Sequence, residues 1–344
     1  MKLNAGLGWA IASACLATSV PAIAQAPRAN GETLNIQHYA GTTGNMHAVI
    51  AKEKGFCTKY NFTCDTKAIN SGILGLQALV GKSIDVALTG TEITAGTVNA
   101  GGDVVIVGMS LPVNVLFVAI RADVPQPNKD KGYPANMADL KGLKIGVPAR
   151  GAGAEFYMNA LLKEGGLQPT DVTYVAVGGP ATAFTSMVTG KLVDAVILFE
   201  PVKTLCKATK ACSLMVDLSE NEGPASIKAT NGAGVPFVMR REMVTDNPAL
   251  VIAFQAAMLD AATWFKDPAN FEELLKIYTP LISFGDMQGA DALRRIWLKD
   301  MVGKYSKDLK VSRSGVKATI EFHVDAKTLE KPVAVEMLVW DKAP

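Results

Sequence analysis

The chain repeats itself. Residues 34–90 recur without a gap as residues 143–199, at a constant offset of 109. Leu34-Asn35-Ile36 answers to Leu143-Lys144-Ile145, Ala40 to Ala149, Gly44 to Gly153, Ala51 to Ala160 and Lys54 to Lys163. Further along, Gly81-Lys82-Ser83-Ile84-Asp85 matches Gly190-Lys191-Leu192-Val193-Asp194. The identities are sparse, but they fall where secondary structure starts and stops. Self-similarity at a fixed offset marks a repeated supersecondary unit, so the chain is expected to fold as two similar halves.

Each copy reads the same way. A short apolar strand (Leu34–Tyr39; Leu143–Val147) runs into a glycine-rich turn. A helix follows, with Phe156, Ala160 and Leu161 at helical spacing and Gly165-Gly166 at its exit. A second strand (Phe62–Ala68; Val172–Val177) leads to a second helix, whose apolar positions Ala181, Phe184, Met187 and Val188 stop at Gly190. The third strand carries Asp85–Leu88 or Asp194–Phe199. Ala195-Val196-Ile197-Leu198-Phe199 is a continuous apolar run, as a parallel strand buried on both faces requires. Each copy is therefore a βαβαβ unit, and the fold class is α/β. Between the copies, Pro125-Gln126-Pro127-Asn128 through Pro134 is a polar, Pro-rich surface excursion. Gly232–Met239 reads as another strand, and Pro248 at a first helical position opens a helix running to Trp264. The tail looks strand-like over Ala318–Val324 and Val333–Trp340.

The N-terminus has a basic start at Lys2, an apolar middle to Val20 and a small-residue exit at Pro21-Ala22-Ile23-Ala24-Gln25-Ala26. Those are the parts of a secretory signal, with cleavage expected near Ala26. Cys15 follows Ala12-Ser13-Ala14, a poor lipoprotein box. Four cysteines remain: Cys57 and Cys64, then Cys206 and Cys212. Four cysteines allow three connectivities, and two close pairs in an exported chain read as two local disulfides. A four-cysteine zinc site needs shorter spacing.

With 34 Lys+Arg against 32 Asp+Glu, the net charge is +2. That balance argues against a nucleic-acid binder, which carries a basic stripe, and against an anionic-membrane surface protein. Only three histidines (His38, His47, His323) argue against a multi-histidine metal site. No cofactor is expected.

In open α/β sheets, ligands sit beyond the carboxyl ends of the strands. The loops there are Tyr39–Gly44, Ile69–Gly72, Thr89–Glu92, Pro148–Gly153, Gly178–Pro180 and Phe199–Pro201. They are rich in glycine and hydroxyls and most open helices, whose exposed N–H groups favour an anion. Arg150 adds a planar bidentate donor. Glu200 either accepts from a ligand or pairs with Arg150. Several enzyme signatures fail by one residue. Gly151-Ala152-Gly153-Ala154-Glu155-Phe156 has Phe156 where a dinucleotide fingerprint needs its third glycine. Gly81-Lys82-Ser83 has Leu76 where a P-loop needs its first. No nucleophile has a visible base partner.

The segments SGILGLQALVGKSIDVALTGTE, AGGDVVIVGMS, DLKGLKIGVPARGAGAEFYMNALLKEGGLQPTDVTYVAVGG, LVDAVILFEP and REMVTDNPALVIAFQAAMLDAATWFKD carry a resemblance. Together they resemble the solute-binding proteins of sulfonate, taurine, nitrate and thiamine-pyrimidine ABC importers over roughly residues 34–280. The resemblance implies a two-lobed type II periplasmic-binding-protein fold, each lobe a mostly parallel sheet with flanking helices. After the signal at 1–26, it implies a first lobe at 27–119, a second at 120–228 and a return to the first over 229–344. It also implies no enzymatic activity, a periplasmic monomer, and as partners a small-molecule solute, a permease and its ATPase subunit, with no nucleic acid. Solute contacts would fall on Tyr39, Thr42, Thr43, Ser71, Gly72, Thr91, Glu92, Arg150, Gly151, Gly179 and Glu200, with no metal ligand. A small sulfonate, nitrate or carboxylate is the expected solute. The alternative is a pyrimidine precursor, or a pyrimidine-forming enzyme. A neutral or cationic solute follows if Glu92 and Glu200 both face the cleft. The two cysteine pairs and the tail after about 303 depart from the family pattern.

Overall fold

The computed structural model describes residues 1, 28–282, 284 and 289–344. The signal expected over 1–26, its cleavage near Ala26 and Cys15 fall on residues 2–27, outside that set.

In the first copy, β1 (Thr33–His38) leads through α1 (Met46–Glu53) and the short α2 (Phe56–Lys59) to β2 (Thr63–Ala68). Then α3 (Gly72–Val80) leads to β3 (Ala87–Leu88), followed by α4 (Thr91–Asn99) and β4 (Val104–Leu111). The chain crosses to β5 (Phe117–Arg121) and enters the second copy: β6 (Lys144–Val147), α5 (Gly153–Glu164), β7 (Thr173–Ala176), α6 (Pro180–Phe184) and β8 (Ala195–Leu198). After α7 (Val202–Thr209), β9 (Cys212–Asp217) and α8 (Ala225–Lys228), it returns through β10 (Val235–Arg240). Helices complete it: α9 (Arg241–Asp246), α10 (Pro248–Lys266), α11 (Phe271–Tyr278), α12 (Ala290–Lys304), α13 (Arg313–Asp325) and α14 (Val335–Leu338).

The two lobes have the same strand order. In the second it is β7-β6-β8-β5-β9. In the first, β2-β1 joins β3-β10-β4 through a parallel bridge between Ile36 and Val86. The strand next to the repeat unit is antiparallel in both: β5, which enters the second lobe, and β10, which returns to the first. This explains the Gly-Lys-x-x-Asp motif. Asp85 accepts from the Asn35 N–H at 2.9 Å and pairs with Arg240 of β10 at 3.0 Å. Its counterpart Asp194 accepts from the Lys144 N–H at 3.0 Å and pairs with Arg121 of β5 at 3.2 Å. Each aspartate thus pins the antiparallel strand to its βαβαβ unit, and each arginine is mostly buried, where such a pair is screened least.

Both faces of each sheet are covered, so β4 and β8 are buried at every position. Cys57–Cys64 ties α2 to β2 and Cys206–Cys212 ties α7 to β9, the two expected local pairs. Each closes a loop of only 6 or 7 residues, and chain entropy gives about 2–3 kcal/mol for loops of that length. Reduction is therefore expected to lower the unfolding temperature by several degrees while leaving the protein folded, as circular dichroism with and without reductant will report.

The strand-like reading of the tail is corrected. Ala318–Val324 lies in α13, and most of Val333–Trp340 in and around α14; only Val339 bridges β4, at Ile106. The apolar alternation from Ala318 to Val324 matched a period of two over too few residues. The longer pattern Val316, Ile320, His323 is helical, and Ser312 caps it by accepting from the Gly315 N–H at 3.0 Å.

Candidate functional site: a cleft between the lobes

A cavity of about 170 Å³ lies where the carboxyl ends of β1, β3 and β8 face one another. An apolar void near 150 Å³ holds a benzene ring, so this one suits a compact solute. The first lobe contributes Tyr39, Ser71, Leu88 and Glu92, the second Ala154, Tyr157, Phe199 and Glu200. The crossing from β4 to β5 adds Asn114 and Val115, and the end of α12 adds Met301, with Tyr305 just beyond it.

Within the first lobe, much of the polar lining is already engaged. Thr42 closes its own loop: its hydroxyl donates to the Tyr39 carbonyl at 2.9 Å and accepts from the Gly44 N–H at 2.7 Å. The Thr43 carbonyl accepts from the Tyr305 hydroxyl at 2.5 Å. The Tyr39 hydroxyl donates to the Leu88 carbonyl at 2.9 Å, and its ring meets Phe199 of the other lobe edge-on at 6.2 Å. Burial, reinforced by Glu92, pushes the Tyr39 phenol well above its usual range, so it stays neutral. Behind this wall, His47 is buried and held neutral, pushed down to about 3 by desolvation. Its ring nitrogens meet the Ser110 hydroxyl at 3.2 Å and the Ser306 carbonyl at 3.0 Å, fixing α1 against β4 and the segment after α12.

Among the described residues, two that face the cavity without a partner from another side chain are Thr89 and Glu92. The Thr89 hydroxyl is buried without a hydrogen-bond partner. A side chain at Gly72 would collide with it, since an added Cβ would stand 2.3 Å from that oxygen. Glu92, in the first turn of α4, sends its carboxyl across the cleft. A Cβ at Gly90 in its own lobe or at Gly153 in the other would each stand 2.2 Å from its Oε1. It makes no ion pair among the described residues, and desolvation raises it to about 7, against a smaller pull from its own backbone N–H. This acid occupies the approach to the N-terminus of α5, the seat expected for a ligand anion.

The structure brings Tyr39, Thr42, Thr43, Ser71, Gly72, Glu92 and Glu200 into the cavity wall, but places four expected contacts elsewhere. Arg150 leans outward, more than half exposed. Its guanidinium donates to Glu155 at 2.9 and 3.1 Å and covers the Tyr174 ring at 5.6 Å. Gly151 serves the same turn, its N–H donating to Glu155 at 2.9 Å. A carboxylate five residues on is the nearest acceptor, so the arginine folds back on its own helix rather than into the cleft. Thr91 is buried and donates to the Ala233 carbonyl at 2.6 Å, fastening α4 to the returning chain. Gly179 opens α6 at the cleft mouth, facing the Asn70 amide. Glu200 does not pair with Arg150. It accepts from the Thr204 N–H at 3.0 Å and hydroxyl at 3.3 Å, with Lys203 at 3.8 Å. Burial still raises its carboxyl above the ordinary range.

A family model described as NMT1-like matches residues 32–279. The chain belongs to the NMT1-like family. Its curated relatives include a protein of Brucella abortus (strain 2308) named only as a binding protein, 27% identical over 244 residues, 71% of this chain and 69% of that one. Among solved structures it is similar to a Bordetella bronchiseptica RB50 protein (TM-score 0.71, 21% identity, 90% of this chain and 95% of that one). It is also similar to the alkanesulfonate-binding protein of Xanthomonas axonopodis pv. citri bound to MOPS (0.70, 19%, 91% and 99%). The periplasmic nitrate-binding protein of Synechocystis PCC 6803 is another (0.63, 18%, 86% and 82%). These likenesses establish the periplasmic-binding-protein fold, and the Xanthomonas and Synechocystis neighbours are named as binding proteins.

Among the wall residues of this NMT1-like protein that sequence reasoning missed are Asn114, Tyr157, Met301 and Tyr305. Asn114 sits in a lobe crossing, Tyr157 a full turn inside α5, and Met301 and Tyr305 come from beyond the repeat. None of these lies at a strand's carboxyl end, the position from which ligand contacts are expected in an open α/β sheet. Thr89 lay inside an identified loop, and only its unpartnered hydroxyl distinguishes it.

Proposed function

We propose that this protein is the exported, periplasmic solute-binding component of an ABC importer, and that its solute is compact and neutral or cationic rather than anionic. One observation carries this reading: among the described residues, two carboxyls, Glu92 and Glu200, line the cavity and no lysine or arginine does. An anion would have to be desolvated beside like charge, which costs several kcal/mol unless a cation compensates it. The neighbours named for alkanesulfonate and nitrate share the fold at under 25% identity, which carries no ligand across. The solved structures named above for their ligands are binding proteins, which supports binding over catalysis.

A thermal-shift panel on protein refolded to strip carried-over solute tests this. Alkylsulfonates, nitrate, carboxylates, amines and neutral heterocycles are each added at ~1 mM. A ligand at 100 times its Kd adds about 2.7 kcal/mol. A shift is expected from an amine or neutral compound, and Arg150→Ala should show the same shift as wild type. Stabilisation by anions alone, lost in Arg150→Ala, would overturn the reading and return that arginine to the site.

A further inference from the structure

Helix α13 lies beyond the family match, which ends at residue 279, and it is built into both lobes. Val316 and Ile320 belong to the first lobe's core, with Leu76, Ile106 and Val238. Phe322 belongs to the second lobe's core, with Tyr157, Leu161 and Ile197. Its ring stacks on Tyr157 at 5.7 Å and 14°, and His323 meets Phe156 at 5.8 Å and Tyr157 at 5.5 Å edge-on. Gly315 lets the helix approach the returning chain, where an added Cβ would stand 2.6 Å from the Asn231 carbonyl oxygen.

Among the helices that α13 touches are the two that face each other across the cavity, α4 and α5. It packs on α4, which carries Glu92, and through Phe322 and His323 on α5, which carries Tyr157. We infer that α13 is a strap that holds the lobes closed, and that Phe322 is a positioning residue setting Tyr157 in the cavity wall. Separating α5 from α4 strips Phe322 and His323 out of the second lobe or pulls Val316 and Ile320 out of the first. Either exposes buried apolar surface, so the strap biases the lobes toward closure whatever the solute. The N-terminal repeat supplies the two jaws, and the added tail sets how readily they part.

The test needs no solute. Spin labels at Leu74→Cys on α3 and Leu192→Cys before β8, both well exposed, report the distance between lobes by pulsed electron resonance. The parent protein is expected to show one short-distance population. Phe322→Ala should add a longer one, raising the open fraction at least tenfold, and Phe322→Tyr should restore the parent distribution. Should Phe322→Ala fail to fold, Phe322→Leu takes its place. Ile50→Val, in the first lobe's core on α1, controls for general destabilisation: it should lower the unfolding temperature and leave the distances alone. A folded Phe322→Ala protein with the parent distribution would overturn the strap, as would equal opening by Ile50→Val.

Discussion

Glu92→Gln is expected to raise the unfolding temperature of the solute-free protein above pH 7 and to weaken solute capture ten- to a hundredfold. The stability gain follows from where the carboxyl sits. Inside the cleft it is desolvated, has no ion pair among the described residues, and is raised to about 7. An acid whose folded value exceeds its unfolded one, near 4.5, binds protons more tightly in the native state. Its neutral form therefore costs little at low pH. Stability falls as pH rises from about 4.5 through about 7, and the penalty is complete above that. At 1.36 kcal/mol per unit, the displacement amounts to roughly 3 kcal/mol, several degrees in a chain of this size. Glutamine keeps the shape and removes the ionisation, so its contribution should not vary with pH. Unfolding temperatures from pH 5 to 8.5 check this: the variant should gain on wild type with rising pH. Equal slopes for the two proteins would show that the carboxyl is hydrated in solution. The binding loss follows from the Proposed function, since a hydrogen bond to a charged group contributes about 1.5–3 kcal/mol. A destabilising native group retained at the contact between lobes is what a ligand-binding role explains.

The fold was legible because punctuation is local. Gly81 and Gly190 end helices wherever they occur, and Asp85 and Asp194 mark the same strand start in both copies, so an offset of 109 was enough to find two lobes. The swap that interlocks them was not, because β5 and β10 lie outside the repeat and find their places only by tertiary pairing. The site was legible to the level of loops and no further. Arg150 and Glu92 both sit in loops of suitable composition. Whether a long side chain turns into the cleft depends on competing partners, and Glu155 captured the arginine while no cation among the described residues captured the glutamate. Helix N-termini favour an anion, but here the protein brings its own, from the opposite lobe. The tail was misread because seven residues of alternation satisfy a strand and a helix alike.

Lys203→Met is expected to destabilise the protein by about 3–5 kcal/mol at pH 8, the usual cost of breaking a buried pair from one side. The Lys203 ammonium is almost fully buried. It lies 3.0 Å from Asp217, 3.7 Å from Glu220, 3.8 Å from Glu200 and 3.9 Å from Asp300. Burial alone would depress it, but Asp217, Glu200 and Asp300 hold it above its ordinary value. Methionine preserves the stem and removes the cation, leaving buried carboxylates facing one another. Glu200, already raised by burial, then loses the cation that pulls it down. Its protonation as pH falls should recover part of the loss, so the deficit at pH 5 should be smaller than at pH 8. Lys203→Met with Asp217→Asn should regain much of the remainder, because replacing both partners removes the unpaired charge. Urea unfolding at the two pH values separates the outcomes. A loss below about 1 kcal/mol would show the cluster to be solvated, and a loss independent of pH would place its cause in packing. The cluster also joins structures of different origin. Lys203 and Asp217 belong to the second lobe, whereas Asp300 lies on α12, whose end carries Met301 into the cavity wall. With Glu200 in the same wall, this one cation holds a solute-facing acid, the start of the return crossing and a C-terminal helix together, so its removal should be felt at the site as well as in stability.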